Sequence, residues 1–226
     1  MNEKKLRIFE LLLLLSISFL PSIIFSIWSL TSQTSITDYF PYKIPNFLSQ
    51  IIESLLSIIL MFYVLSRRQK NISSIGVHPN LSLIDVFHSI AIIIAFSLIH
   101  SLSASLLSNI DTEFVFQDSH PKNTEILQTK YTFLLIVLAI VSPLQEDLLI
   151  RGYTMTQIFD ITENKFFTVS ASVTLQFIYH LGEGLPHDLM STPFYLITSL
   201  YFIKFGNLNP VIIAHLLLNI SLLSRL

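Results

Sequence analysis

The chain has 226 residues, of which 52% are hydrophobic and only 12% are charged. With a mean hydropathy of +0.65, this composition excludes a soluble globular domain and predicts an all-α integral membrane protein of the lipid bilayer. A net charge of −2 with no concentrated basic surface excludes nucleic acid as a partner, and the absence of cysteine excludes disulfides, thiolate chemistry and cysteine-based metal sites.

Three apolar segments in the first half of the chain are predicted to cross the membrane, since each is close to the ~20 residues that span the hydrocarbon. The first follows a charged N-terminus but is too long for the apolar region of a signal peptide and lacks a small-residue cleavage site, so we expect it to be retained. The three segments are Ile8–Leu30, Phe47–Leu65 and Leu83–Leu107.

The positions of the basic residues predict on which side of the membrane each loop lies. Arg67, Arg68 and Lys70 follow the second crossing at once, so they should anchor that end in the cytoplasm. The polar loops Thr31–Asn46 and Ser108–Glu125 are then expected on the outside.

The next apolar stretch, Ile126–Asp160, is helical in character throughout its 35 residues. As one helix it would measure roughly 52 Å, which exceeds the hydrocarbon thickness. Pro143 cannot donate a helical hydrogen bond and disfavours helical geometry at the preceding residue. We therefore predict two crossings, Ile126–Ser142 and Leu144–Asp160.

Three further helices complete a predicted bundle of about eight transmembrane helices with both termini in the cytoplasm. A seven-helix map, with Ile126–Asp160 as one crossing, distributes the Lys and Arg residues slightly better and stays open. We expect an N-terminal unit over residues 1–125 and a catalytic-type core over residues 126–226. The last three helices are Phe166–Leu181, Met190–Phe205 and Asn209–Leu223.

Polar residues inside these apolar helices are the candidate functional residues, because charge in such surroundings is costly unless it is partnered. Asp147 and Arg151 are four residues apart and can pair on one helix face. Glu146 takes no part in this pair. His215 and Asn219 present an imidazole and an amide from one face of the last helix.

Depth along the helices predicts that these groups meet. Glu146 lies 14 residues before Asp160, and His180 lies 14 residues after Phe166, so an antiparallel hairpin places them at one level. A carboxylate beside an imidazole can take a proton from water, and a second imidazole with an amide can stabilise an oxyanion. This set is suited to hydrolysis by water, and the usual serine, cysteine and zinc-protease motifs are missing.

Three short motifs resemble those of the CPBP family, the CAAX prenyl endopeptidases and their bacterial relatives in bacteriocin processing and immunity. They are Glu146-Asp147-x-x-x-Arg151-Gly152, His180 after an aromatic-rich helix, and Asn207-Leu208-Asn209-Pro210 leading into His215-x-x-x-Asn219. The resemblance implies an intramembrane glutamic endopeptidase of a prokaryotic cell membrane, without cofactor or metal, that cleaves a peptide or membrane protein. It also implies that Glu146 and His180 activate water, and that His215 and Asn219 form the oxyanion site.

The chain departs from the family pattern at two positions. Asp147 replaces the second of two glutamates, and its shorter side chain can still pair with Arg151. Gln176 stands where the family's F-x-x-x-H motif has phenylalanine, while Phe177 lies one place later.

Other functions are compatible with the same residues. The acids and Arg151 could form a structural ion network between helices. Two histidines and a glutamate could hold zinc in a membrane hydrolase. The scaffold could also serve a non-catalytic peptide-binding or immunity protein, or a transporter, although no internal repeat supports the last. The oligomeric state does not follow from the sequence.

Overall fold

The computed structural model describes residues 2–32, 44–108 and 124–223. Within these residues the chain forms seven helices and no strand. The fourth helix is continuous and combines an α-helix Thr124–Glu146, a π-helical segment Asp147–Met155 and a final α-helix Thr156–Thr162. We call this continuous helix α4. The others are α1 (Glu3–Ser32), α2 (Ile44–Arg67), α3 (Leu83–Ser108), α5 (Lys165–His180), α6 (Leu185–Phe205) and α7 (Asn209–Leu223).

The predicted all-α membrane bundle is confirmed. In the described part of the chain, four helices are long and apolar enough to cross a membrane, over Glu3–Trp28, Pro45–Arg67, Leu83–Ser105 and Phe133–Thr162. Their outer faces remain exposed and apolar, as lipid contact requires. Most of the two predicted polar loops, Thr31–Asn46 and Ser108–Glu125, lies outside the described residues.

The predicted break at Pro143 is wrong, because α4 continues through this proline. A transmembrane helix tolerates proline where neighbouring groups and local π geometry satisfy the freed carbonyl. The π-helical segment that starts at Asp147 lies one turn beyond Pro143. One helix therefore replaces two, in agreement with the seven-helix alternative.

Contacts between distant residues show that α4 runs antiparallel to α1 and that α5 runs parallel to it, and they define the two ends of the bundle. At one end, Arg7 of α1 donates a hydrogen bond to Asp160 of α4 at 3.2 Å. At the other end, the Ser26 hydroxyl of α1 donates to the carbonyl of Tyr179 in α5 at 3.0 Å. We call these the Arg7 end and the Ser26 end.

Cationic residues collect at the Arg7 end. Arg68 bonds to Glu10 at 2.5 Å, and Lys70 lies 3.7 Å from Asp160. An odd number of crossings would put the two termini on opposite sides of the membrane, with this cationic end in the cytoplasm. The membrane side of each terminus stays a prediction.

Two glycines allow close packing around Leu208, the residue before α7. A Cβ at Gly152 would lie 3.0 Å from the Leu208 side chain and 3.2 Å from the Ile75 carbonyl, so a larger residue would force α4 away. Gly76 has a φ of 84°, and its carbonyl accepts a hydrogen bond from the Leu208 amide at 2.7 Å. This packing fixes where α7 begins, and therefore where His215 lies along α4.

Candidate active site

The π-helical segment of α4 forms one wall of the candidate site. All nine of its residues, Asp147–Met155, are buried, and Glu146 is the last residue of the α-helix before it. π-helical geometry is rare and is found mostly at functional sites, because it displaces side chains from their regular positions. Here the π-helical segment begins at Asp147, directly after Glu146, and the two acids contact different partners.

Glu146 meets His180 as the depth count predicted. The Nε2 atom of His180 lies 3.4 Å from Oε2 of Glu146, although the two residues are 34 positions apart. The other carboxylate oxygen, Oε1, accepts a hydrogen bond from the Ser142 hydroxyl at 3.1 Å. Glu146 is therefore a buried carboxylate with an imidazole on one oxygen and a hydroxyl on the other.

Two tyrosines hold the His180 ring. Tyr195 of α6 stacks on it with the ring centroids 5.5 Å apart and an interplanar angle of 16°. Tyr179 packs with its edge toward the ring, at 4.5 Å between centroids. The imidazole is thus fixed in orientation by α5 and α6 while its Nε2 points at α4.

Asp147 faces the opposite way and joins α4 to α7. One of its oxygens pairs with Arg151, which confirms the predicted contact at a spacing of four residues. The other lies 3.3 Å from Nδ1 of His215. The Asp147 and Arg151 side chains are fully buried, so each supplies the opposite charge that the other needs in an apolar interior.

Arg151 has two further contacts that complete its surroundings. Its Nη2 donates to Oε1 of Gln176 in α5 at 2.7 Å. Its guanidinium carbon lies 5.6 Å from the centre of the Phe194 ring, within cation–π range. The same ring packs edge-on against His215 at 5.0 Å. Arg151 therefore links α4, α5 and α6 around the carboxylate of Asp147.

Asn219 lies one helical turn beyond His215 on α7 and is partly exposed. Its side chain makes no hydrogen bond to any residue that the structure describes, so its amide is available to another group. The four predicted catalytic residues therefore sit on three helices, with Glu146 and His180 in direct contact and His215 held beside Asp147.

The site lies toward the Ser26 end of the bundle. His180 directly follows Tyr179, whose carbonyl bonds to Ser26, whereas Asp160 at the Arg7 end is 14 residues, or about 21 Å, from Glu146. In the eight-helix map, Leu144–Asp160 runs outward from the cytoplasm, so that map predicts the site and the N-terminus at the same, cytoplasmic face. The continuity of α4 through Pro143 accounts for the difference.

The two histidines contact different carboxylates, so the arrangement is that of two acid–imidazole pairs. In the described parts of the chain, no three His, Cys, Asp or Glu residues are grouped as a metal ion would require. Asp147 pairs with both Arg151 and His215, whereas Glu146 pairs with His180.

Three residues at the site were missed or misinterpreted from the sequence. Gln176 was noted only as a departure from a motif, yet it is the buried acceptor for Arg151. Ser142 and Tyr195 are common residue types in membrane helices, and nothing in their spacing distinguishes them. Ser142 lies four residues before Glu146, and this helical spacing was the one feature of the sequence that could have predicted their contact.

Part of the chain matches a known protein family. Residues 128–221 match the family model described as Rce1-like, type II CAAX prenyl endopeptidase. No curated protein and no solved structure matches the chain. The matched segment falls within the predicted core of residues 126–226 and includes Glu146, His180, His215 and Asn219. The division of the chain at residue 125 stays a prediction.

The match implies a membrane-bound endopeptidase that acts on membrane-associated protein or peptide substrates. The resemblance predicted from the three motifs is confirmed over residues 128–221, which are similar to the Rce1-like type II CAAX prenyl endopeptidases.

Proposed function

We propose that this protein is a glutamic intramembrane endopeptidase that hydrolyses a peptide bond with a water molecule activated by Glu146 and His180. The contact between these two side chains supports the proposal most directly, because it joins a buried carboxylate to an imidazole from another helix. Catalytic hydrogen bonds are often long before substrate binds, so 3.4 Å suits a pair that closes on a water molecule.

In the first step, Glu146 takes a proton from water as the hydroxyl oxygen attacks the scissile carbonyl carbon. The Ser142 hydroxyl holds the carboxylate so that one oxygen remains directed at His180. The proton passes to the leaving amine when the carbon–nitrogen bond breaks, which restores the carboxylate. No covalent enzyme intermediate is formed, and the products are a carboxylate and an amine.

His215 and Asn219 stabilise the charge that develops on the carbonyl oxygen. The Nδ1–H of His215 donates to Asp147, so its Nε2 is the ring atom left for the substrate. With Nδ1 bonded to Asp147, an Nε2–H of His215 would donate to the oxyanion, and the Asn219 amide supplies a second donor. Asp147 and Arg151 act as positioning residues.

The proposal is tested in cells that lack this protein, by restoring either the wild type or Glu146→Gln and comparing the processed forms of membrane peptides. This change removes the base and keeps the shape of the side chain. Glu163→Gln removes an acid from the exposed turn after α4 and is the matched control. We expect a cleaved product with the wild type and the control, and none with Glu146→Gln at equal protein level.

A biological effect that Glu146→Gln restores fully, with no difference in cleavage, would overturn the proposal. The polar cluster would then serve peptide binding or the packing of the helices.

A further inference from the structure

A cavity of about 320 Å³ lies between α1, α2 and α4 at the Ser26 end of the bundle. Its volume is in the range of ligand-binding sites in proteins. Unlike the outer surface of the helices, its wall is rich in hydroxyl groups. Six serines line it: Ser18, Ser22, Ser26, Ser49, Ser54 and Ser142.

This cavity adjoins the candidate catalytic carboxylate. Ser142 lines the cavity and donates its hydroxyl hydrogen bond to Glu146. Gln145, the residue before Glu146, also lines it and accepts a hydrogen bond from Ser54 at 2.6 Å. On the α5 side the wall includes Tyr179, next to His180. A chain lying in the cavity would therefore contact Ser142, which bonds to Glu146, and the residues that precede Glu146 and His180 in the sequence.

Two polar groups in this wall have no partner among the residues that the structure describes. The Ser18 hydroxyl is buried and has no hydrogen bond to the described part of the protein. Glu53 of α2 is exposed along the cavity, and no described Lys, Arg or His forms an ion pair with it. A carboxylate about 14 Å along a transmembrane helix is costly without a counter-charge or water. Both groups would be satisfied by a polar ligand that carries a positive charge.

We propose, building on the endopeptidase function above, that this cavity binds the substrate segment next to the scissile bond, and that Glu53 selects a Lys or Arg side chain in it. The substrate would be an unprenylated polar peptide. The serine hydroxyls and the amides of Gln50 and Gln145 can donate to and accept from a peptide backbone. An isoprenoid chain in the same place would bury these groups without hydrogen bonds, at a cost for each.

Pro21, Phe25 and Leu138 form the apolar remainder of the wall. They can pack against the aliphatic part of a lysine or arginine side chain whose charged head reaches Glu53. Of the described residues in the lining, Glu53 is the one that carries a charge, so this wall has a negative character that disfavours Asp and Glu in the substrate.

The proposal is tested with the full-length protein in lipid vesicles and a mixture of synthetic peptides with randomised central residues. The same mixture is also presented with a C-terminal S-farnesyl cysteine. Mass spectrometry of the products gives the ratio of Lys and Arg to Asp and Glu at each position around the cleaved bond. We expect this ratio to be raised at one fixed position, at least about tenfold, as for a close charge pair.

Variants at Glu53 should lower this ratio to different extents. Glu53→Gln should bring it close to one, and Glu53→Lys should reverse it in favour of Asp and Glu. Gln50 lines the same cavity one turn earlier on α2. Adding Gln50→Glu to Glu53→Gln should therefore restore the preference for Lys and Arg. Glu163→Lys, made in the exposed turn after α4, should leave the ratio as in the wild type.

The outcomes separate the two proposals. If the wild type forms no product that Glu146→Gln lacks, the endopeptidase function fails. If products depend on Glu146 but their residue ratios are the same in the wild type and Glu53→Lys, the cavity proposal is overturned and the endopeptidase function stands. Preferential cleavage of the farnesylated mixture would also overturn the cavity proposal.

Discussion

Gln176 accepts a hydrogen bond from Arg151 at 2.7 Å, at the position where the related family motif has phenylalanine. Both side chains are fully buried. Asp147 satisfies one side of the guanidinium, and Gln176 satisfies another from a different helix. The glutamine also lies 3.5 Å from Ser172, which bonds to Ser199 of α6. Gln176 therefore connects Arg151 to polar groups that reach α6.

Replacing Gln176 should destabilise the protein through Arg151. Gln176→Leu removes the acceptor and leaves a buried charged donor unsatisfied, which costs about 1–3 kcal/mol. Gln176→Glu keeps an acceptor and adds a charge opposite to that of Arg151, so it should retain more stability than the leucine variant. Thermal unfolding in detergent measures both. Equal melting temperatures for Gln176→Leu and the wild type would contradict the contact.

The loss of Asp147 should be more severe. Asp147→Ala leaves Arg151 as a buried charge without its anionic partner, at a cost on the order of 3–5 kcal/mol. Glu146→Gln changes the neighbouring acid but keeps the Asp147–Arg151 pair, so it is the matched control and should unfold near the wild-type temperature. Thermal unfolding in detergent measures this difference. A melting temperature of Asp147→Ala equal to that of the wild type would show that Arg151 has another anionic partner.

Tyr195 should affect catalysis by orienting His180. Tyr195→Leu removes the stacked ring, and a misplaced catalytic group commonly costs ten- to hundredfold in rate, so we expect kcat to fall by about that factor with little change in KM. Tyr195→Phe keeps the ring and should recover most of the rate. Kinetics on a substrate found by the cleavage assay would test this. If the leucine and phenylalanine variants were equally active, stacking would have no part in positioning His180.

The sequence predicted the meeting of Glu146 and His180 because antiparallel helices fix depth, and depth can be counted along the chain. It failed at Pro143, because the penalty of a proline depends on whether neighbouring groups satisfy the freed carbonyl. The π-helical start at Asp147 depends on packing around a buried acid, which no local pattern encodes. Gln176 looked like a departure because its partner is 25 positions away, and that pairing exists only in the folded protein.

The continuity of α4 predicts that the turn after α2 and the C-terminal end of α7 are exposed on opposite sides of the membrane. The chain contains no cysteine, so single cysteines can be introduced without altering other residues. Ser73 is exposed in the 3₁₀ turn Ile72–Ile75 at the Arg7 end, and Ser221 is exposed near the C-terminus of α7 at the Ser26 end.

An impermeant maleimide should label Ser73→Cys only from the cytoplasmic side, where the cationic end belongs, and Ser221→Cys only from the opposite side. Labelling sealed vesicles of both orientations measures this, with detergent-opened vesicles as the control for reactivity. Eight crossings would place both cysteines in the cytoplasm, so labelling of both from that side would contradict the continuous α4. Opposite labelling would mean that a substrate reaches Glu146 from the non-cytoplasmic face, because the serine-lined cavity and the catalytic pair both lie toward the Ser26 end.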